Sequence, residues 1–123
     1  MTYEDRILVV DDESDICWAI GNILKREGYH ITLFVKGKDA LRLAKDMDFK
    51  IAFIVVKFLD MNWIKLCQMI KEASPETLVV VVSGYLYPDD DVVLQGLEEG
   101  IFEKFISKPF NLAQICQVVK NEL

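Results

Sequence analysis

Two stretches of the chain, Ile51-Ala-Phe-Ile-Val-Val56 and Leu78-Val-Val-Val-Val82, are apolar at every position and rich in β-branched residues. Successive side chains of a strand point to opposite faces, so a strand with one wet face alternates apolar with polar. A short run without alternation is covered on both faces, which is the situation of a strand in a parallel sheet between two layers of helices. The first run passes at Lys57 into a short mixed loop, and Asn62 is a good N-cap for a helix behind it.

The rest of the chain repeats this unit. Arg6 to Val10 is a short apolar strand that ends in Asp11-Asp12-Glu13. Ser14 or Asp15 can cap a helix whose Ile16, Ala19, Ile20, Ile23 and Leu24 follow helical spacing, and Gly28 is a natural stop for it. Ile31 to Val35 reads as a second strand and Lys38 to Asp46 as a second helix. A third helix spans Asn62 to Ala73 and is broken by Ser74-Pro75 before the strand Leu78 to Val82. Ser83-Gly84-Tyr85 closes that strand, and a loop with Pro88 and three aspartates leads to a helix from about Asp90 to Glu99, stopped by Gly100. Phe102 to Ile106 is the last strand, and Asn111 caps a final helix. Five strand-helix units without linker or repeat predict a single α/β domain over residues 1–123. Right-handed crossovers leave few topologies. The expected fold is a flavodoxin-like (βα)5 three-layer sandwich, with a parallel five-stranded sheet in order 2-1-3-4-5.

Charge and composition narrow the function. A formal net charge of −6 argues against a nucleic-acid surface, which needs a basic stripe. No apolar run reaches the length of a membrane span and the opening Met-Thr-Tyr-Glu-Asp-Arg lacks a signal-peptide pattern, so a cytoplasmic location is expected. Cys17, Cys67 and Cys116 have no metal-like spacing and sit among apolar residues, as reduced fillers of a core do.

In the expected strand order the C-terminal ends of strands one, three, four and five gather on one rim, where open α/β sheets place their chemistry. Asp11 and Asp12 leave strand one, Ser83 leaves strand four, and Lys108-Pro109 leaves strand five. Adjacent carboxylates suit a hard divalent cation, though acidic residues also simply favour the start of a helix. A hydroxyl and an ammonium nearby are what a phosphoryl group needs for hydrogen bonding and neutralisation.

Ile7-Leu-Val-Val-Asp-Asp-Glu13, Val82-Ser-Gly-Tyr85 and Phe105-Ile-Ser-Lys-Pro-Phe110, in this order and spacing, resemble the receiver domain of two-component response regulators (CheY-like), over essentially the whole chain. The resemblance implies an acidic pair for Mg²⁺ at Asp11 and Asp12, a phosphate-contacting hydroxyl at Ser83 and lysine at Lys108, and a switch aromatic at Phe105. It also implies an acceptor aspartate ending strand three, and there the chain departs. The family pattern places Val55 at the acceptor, Leu59 at a proline and Trp63 at a glycine. Asp60, the nearest acid, falls five residues past the acceptor, too far along an extended chain to replace it.

Valine offers no oxygen nucleophile, and the metal site keeps only Asp11, Asp12 and the Lys57 carbonyl, so Mg²⁺ binding is expected to be weak at best. Trp63 covers the vacated pocket, offers a partner an aromatic contact, or packs on the third helix; the sequence leaves these open. The expectation is a non-enzymatic pseudo-receiver acting through protein partners: a histidine kinase, an output domain or another signalling protein. It includes a homodimer through the face of the fourth helix, fifth strand and fifth helix. Competing readings are a working phosphorelay receiver with Asp12 or Asp60 as acceptor, a small-molecule or metal-sensing pocket, and an enzyme on the same scaffold. The enzyme reading lacks a histidine near the rim, a nucleophile elbow and a Gly-rich phosphate loop.

Overall fold

The computed structural model describes residues 6–10, 15–35, 39, 41–42, 45, 49–56, 62–107 and 112–122. Five parallel strands, β1 (Arg6–Val10), β2 (His30–Val35), β3 (Ile51–Val56), β4 (Leu78–Ser83) and β5 (Lys104–Ser107), form one sheet in the order β2-β1-β3-β4-β5. Four helices are described whole: α1 (Asp15–Arg26), α2 (Asn62–Ala73), α3 (Asp91–Glu98) and α4 (Leu112–Glu122). Between β2 and β3, residues 39, 41, 42 and 45 are helical, and the remainder of the predicted Lys38–Asp46 helix lies outside the described residues. The expected topology is the observed one.

The two non-alternating runs are the two central strands, and each residue's parity decides its layer. Ala52, Ile54, Val56, Val79 and Val81 pack toward α2 and α3, with Trp63, Cys67, Ile70 and Val93. Ile51, Phe53, Val80 and Val82 pack toward α1 and α4, with Ile20, Leu24, Ile115 and Val119. At about 1.5–3 kcal/mol for each large apolar side chain removed from water, burial on both faces is the dominant favourable contribution. It leaves no polar positions in the middle of these strands.

Helix stops follow the chemistry of glycine. Gly28 adopts φ 95° and Tyr29 N–H donates to Leu24 O at 3.2 Å, the six-to-one bond that closes α1. Gly100 repeats the device at φ 72°, with Ile101 N–H donating to Gly96 O at 2.9 Å. Asn62 is the first helical residue of α2 rather than its cap. Asp15, the alternative cap of α1, is likewise its first helical residue, and Ser14 and Asn111 lie outside the described residues.

The last strand differs from expectation by two residues, for a packing reason. Phe102 was expected to open it, but its ring instead turns into the core between α2 and α3. Glu103 then bridges to β4: its N–H donates to Val79 O at 2.9 Å, and its Oε1 accepts from Val79 N–H at 2.8 Å. The other oxygen, Oε2, meets Lys71 Nζ at 3.1 Å. Lys71 spends its other two donors on the carbonyls of Thr77 at 2.9 Å and Pro75 at 3.2 Å. Thr77 Oγ1 donates to Phe49 O at 2.8 Å, so the 2.7 Å contact with Ser74 Oγ has Ser74 as donor. This clasp closes the N-terminal edge of the sheet.

Gly96 has a specific reason to lack a side chain. A Cβ there would overlap Phe102 Cε1 and lie 2.7 Å from Cζ. Gly to Ala inside a helix ordinarily gains up to about 1 kcal/mol, whereas overpacking a core costs about 1–3 kcal/mol. Gly96→Ala is therefore expected to lower the urea midpoint. Combined with Phe102→Leu it should lose less than the sum of the two single changes, because both act at one contact.

Candidate functional site: the C-terminal rim of the sheet

The register defines what meets at the rim. Val10 ends β1 opposite Ile54, and β3 runs on through Val55 and Val56. Val55 pairs with Val82 and Val56 with Ser83, while β5 sets Ile106 beside Val82 and Ser107 beside Ser83. Two rows thus cross the end of the sheet. The row Val55-Val82-Ile106 belongs to the apolar cluster on the α1/α4 side. The row Val56-Ser83-Ser107 pleats to the other side, where Val56 shares a cluster with Trp63.

Of the residues expected at the site, Val55, Ser83, Phe105 and Trp63 are described; Asp11, Asp12, Lys57, Asp60 and Lys108 lie outside the described residues. Val55 is half-buried, an alkyl group packed against its own layer. Ser83 is next to it on β4, one register step further along and on the opposite pleat. Phe105 is half-buried beside Val81, against the α2/α3 cluster. Trp63 is 7% exposed, its ring centroid 5.9 Å from that of Phe102 at an interplanar angle of 49°. A ring so buried is packing, and it offers no surface to a partner.

Ser83 is only 1% exposed, and its hydroxyl oxygen accepts two backbone donors, Tyr85 N–H at 3.0 Å and Leu86 N–H at 3.2 Å. Short hydroxyl side chains favour turns because they can satisfy nearby backbone groups in this way. The oxygen that the resemblance assigns to phosphate contact holds the β4–α3 loop in this structure. Asp90 adds a second tie, its Oδ2 accepting from Tyr87 N–H at 2.8 Å. Sequence reading passed over Ser107, which enters the rim row because β5 runs one residue past the expected Ile106 and pairs it with Ser83.

Among the described residues no group of three or more His, Cys, Asp or Glu could hold a metal ion, and no helix is long and apolar enough to cross a membrane. Cys67 is fully buried, as expected of a filler, and burial together with the Glu103 charge pushes its thiol from 9.0 up to about 12.

The five-stranded parallel sheet in this order, with the Ser83 hydroxyl ending β4, agrees with the receiver-domain resemblance. The model of the response regulator receiver domain matches residues 7–120, and the chain belongs to that family. It is 25% identical to the response regulator receiver protein CpdR of Brucella abortus, over 96% of this chain and 96% of that protein. It is 30% identical to the nitrogen assimilation regulatory protein NtrX of Azorhizobium caulinodans, over 95% of this chain but 26% of that protein. The chain thus spans about a quarter of the length of NtrX and of the transcriptional regulator NtrC of Proteus hauseri. A CheY-like receiver domain from Methanospirillum hungatei superposes with a TM-score of 0.80 at 26% identity, covering 96% of this chain and 92% of that one.

Two outcomes are expected at these positions. Ser83→Ala leaves the Leu86 N–H buried without its acceptor, and unfolding in urea should show a loss of about 1–3 kcal/mol. For Cys67 the folded thiol keeps its proton above the pH at which the unfolded thiol loses it. Its contribution to stability is complete below pH 9.0 and is lost as pH rises toward about 12. Urea midpoints followed across that range should fall more steeply for the native chain than for Cys67→Ala.

Proposed function

We propose that this receiver domain takes no phosphoryl group at the usual position and works as a phosphorylation-independent regulatory module that binds proteins. The observation that carries the reading is Val55. An acyl phosphate needs a carboxylate oxygen, and the side chain at this point of β3 is an alkyl group packed into the α1/α4 layer.

The donor set does not fit a tightly held Mg²⁺, which draws its protein ligands chiefly from carboxylates. Strand β3 contributes none, which leaves the Asp11–Asp12 pair and the Lys57 carbonyl, so no resident cofactor is expected. We also read the domain as having no catalytic activity. The single histidine, His30, starts β2 at the edge of the sheet opposite Ser83, so no hydroxyl–imidazole pair can form there.

Receiver domains of response regulators bind kinases and output domains, and partners of that kind fit this chain. The homodimer face would be α3, β5 and α4, where Leu94 is 50% and Leu97 38% exposed. No nucleic acid contact is assigned to this domain, and its setting is cytoplasmic.

The test is incubation with acetyl phosphate and Mg²⁺, read by intact mass, for the native chain and for Val55→Asp. The expected result is a phosphoryl adduct on the variant and none on the native chain. Labelling of the native chain would show another acceptor, such as Asp12 or Asp60, and defeat the reading. Labelling of neither would point to a rebuilt pocket, with a ligand-sensing role then favoured.

A further inference from the structure

A cavity of about 220 Å³ opens on the surface between α2 and α3. Its floor is apolar, made by Ile64, Val92, Ile101 and the Phe102 ring under Gly96; Gln68, Gln95 and Glu99 form its rim. Position 96 carries no side chain because the Phe102 ring fills the space a Cβ would take, so backbone and ring together line this part of the cavity. Its volume is below the roughly 300–1,000 Å³ of sites that enclose a small molecule, and it matches a single large side chain from a partner.

Charge decides what surrounds that side chain. From Asn62 to Glu99, the two helices that wall the cleft and the segment between them hold seven carboxylates against Lys65 and Lys71, and Glu99 stands at the cleft itself. Among the described residues, Glu103 has Lys71 and Asp90 has the Tyr87 amide, but Glu72, Glu98, Glu99 and Asp91 form no ion pair. An anionic field over an apolar cleft attracts cations and repels acidic chains.

We propose that the α2–α3 cleft docks a basic protein segment that inserts one apolar side chain over Gly96 and sets a lysine or arginine against Glu99. This surface lies on the other flank of α3 from Leu94 and Leu97. The proposal names a partner class for the module described above, yet it does not depend on the chemistry of the rim. The acetyl phosphate result leaves it unchanged.

The probe is a short capped peptide of lysine and alanine with one central tryptophan, titrated into the ¹⁵N-labelled domain. Two control peptides replace the tryptophan by serine, or the lysines by glutamates. Amide shifts are expected around Ile64, Gln68, Gln95, Glu99 and Ile101. Affinity should drop about tenfold or more for each control peptide, for Glu99→Lys and for Gln95→Trp, which fills the cleft. All of these changes lie on exposed side chains, and melting curves verify that the variants remain folded. Three results would each overturn the proposal: no binding, equal binding of the serine peptide, or shifts centred on Leu94 and Leu97. Loss of binding in Leu94→Ser with retention in Glu99→Lys would assign the peptide to the outer face of α3 and likewise defeat it.

Discussion

The fold depends on burying both faces of β3 and β4. Because every side chain of Ile51–Ile54 and Val79–Val82 is buried, the central strands have no room for polar function along their length. Polar chemistry is forced to the strand ends. The buried polar side chains among the described residues are Thr77 and Ser83, which flank β4 at its two ends. Each hydroxyl is committed to backbone groups, as burial without water requires.

The two ends are nevertheless built differently. At the N-terminal edge, Lys71 uses all three of its N–H donors, and Glu103 uses both oxygens, so α2, β4 and the start of β5 are tied by a fully satisfied set. Such a network holds one arrangement, because moving any member strands a half-buried charge. At the C-terminal rim, among the described residues, the Ser83 hydroxyl accepts from two amides of its own loop and the Asp90 carboxylate from a third. Hydrogen bonds of that kind are local and are worth about 1 kcal/mol each.

Most of this order was legible in the residues. The absence of alternation in Ile51–Val56 and Leu78–Val82 implies two covering layers, and two covering layers with alternating elements leave few strand orders, of which the favoured one is observed. Gly28 and Gly100 marked helix ends because only a residue free of Cβ sits easily at φ 95° and 72°. Phe102 was misread as a strand residue, since local pattern gives no weight to a distant gap. Only the approach of α3, with Gly96 facing the ring, explains why that aromatic leaves the strand. Likewise, no local signal in Lys71, Thr77 and Glu103 reveals a network whose members are joined across two loops. At the site, Val55 and Ser83 could be placed at neighbouring strand ends from sequence, but their opposite pleats follow from the pairing register.

Trp63 and Phe102 connect these parts. In receiver domains phosphorylation adds about −1.5 to −2 charges, which biases an element with two arrangements. Under the proposed reading Val55 supplies no such change, and the bias comes instead from a ligand that distinguishes the arrangements by its own contacts. The Phe102 ring contacts Gly96 on one side and Trp63 on the other, and Trp63 shares its cluster with Val56 at the rim. An apolar side chain seated over Gly96 would rest on the same ring that packs the end of β3. Under the proposed reading, occupancy of the α2–α3 cleft acts on the core from below the rim, and it replaces an event at the strand end by one at the helices.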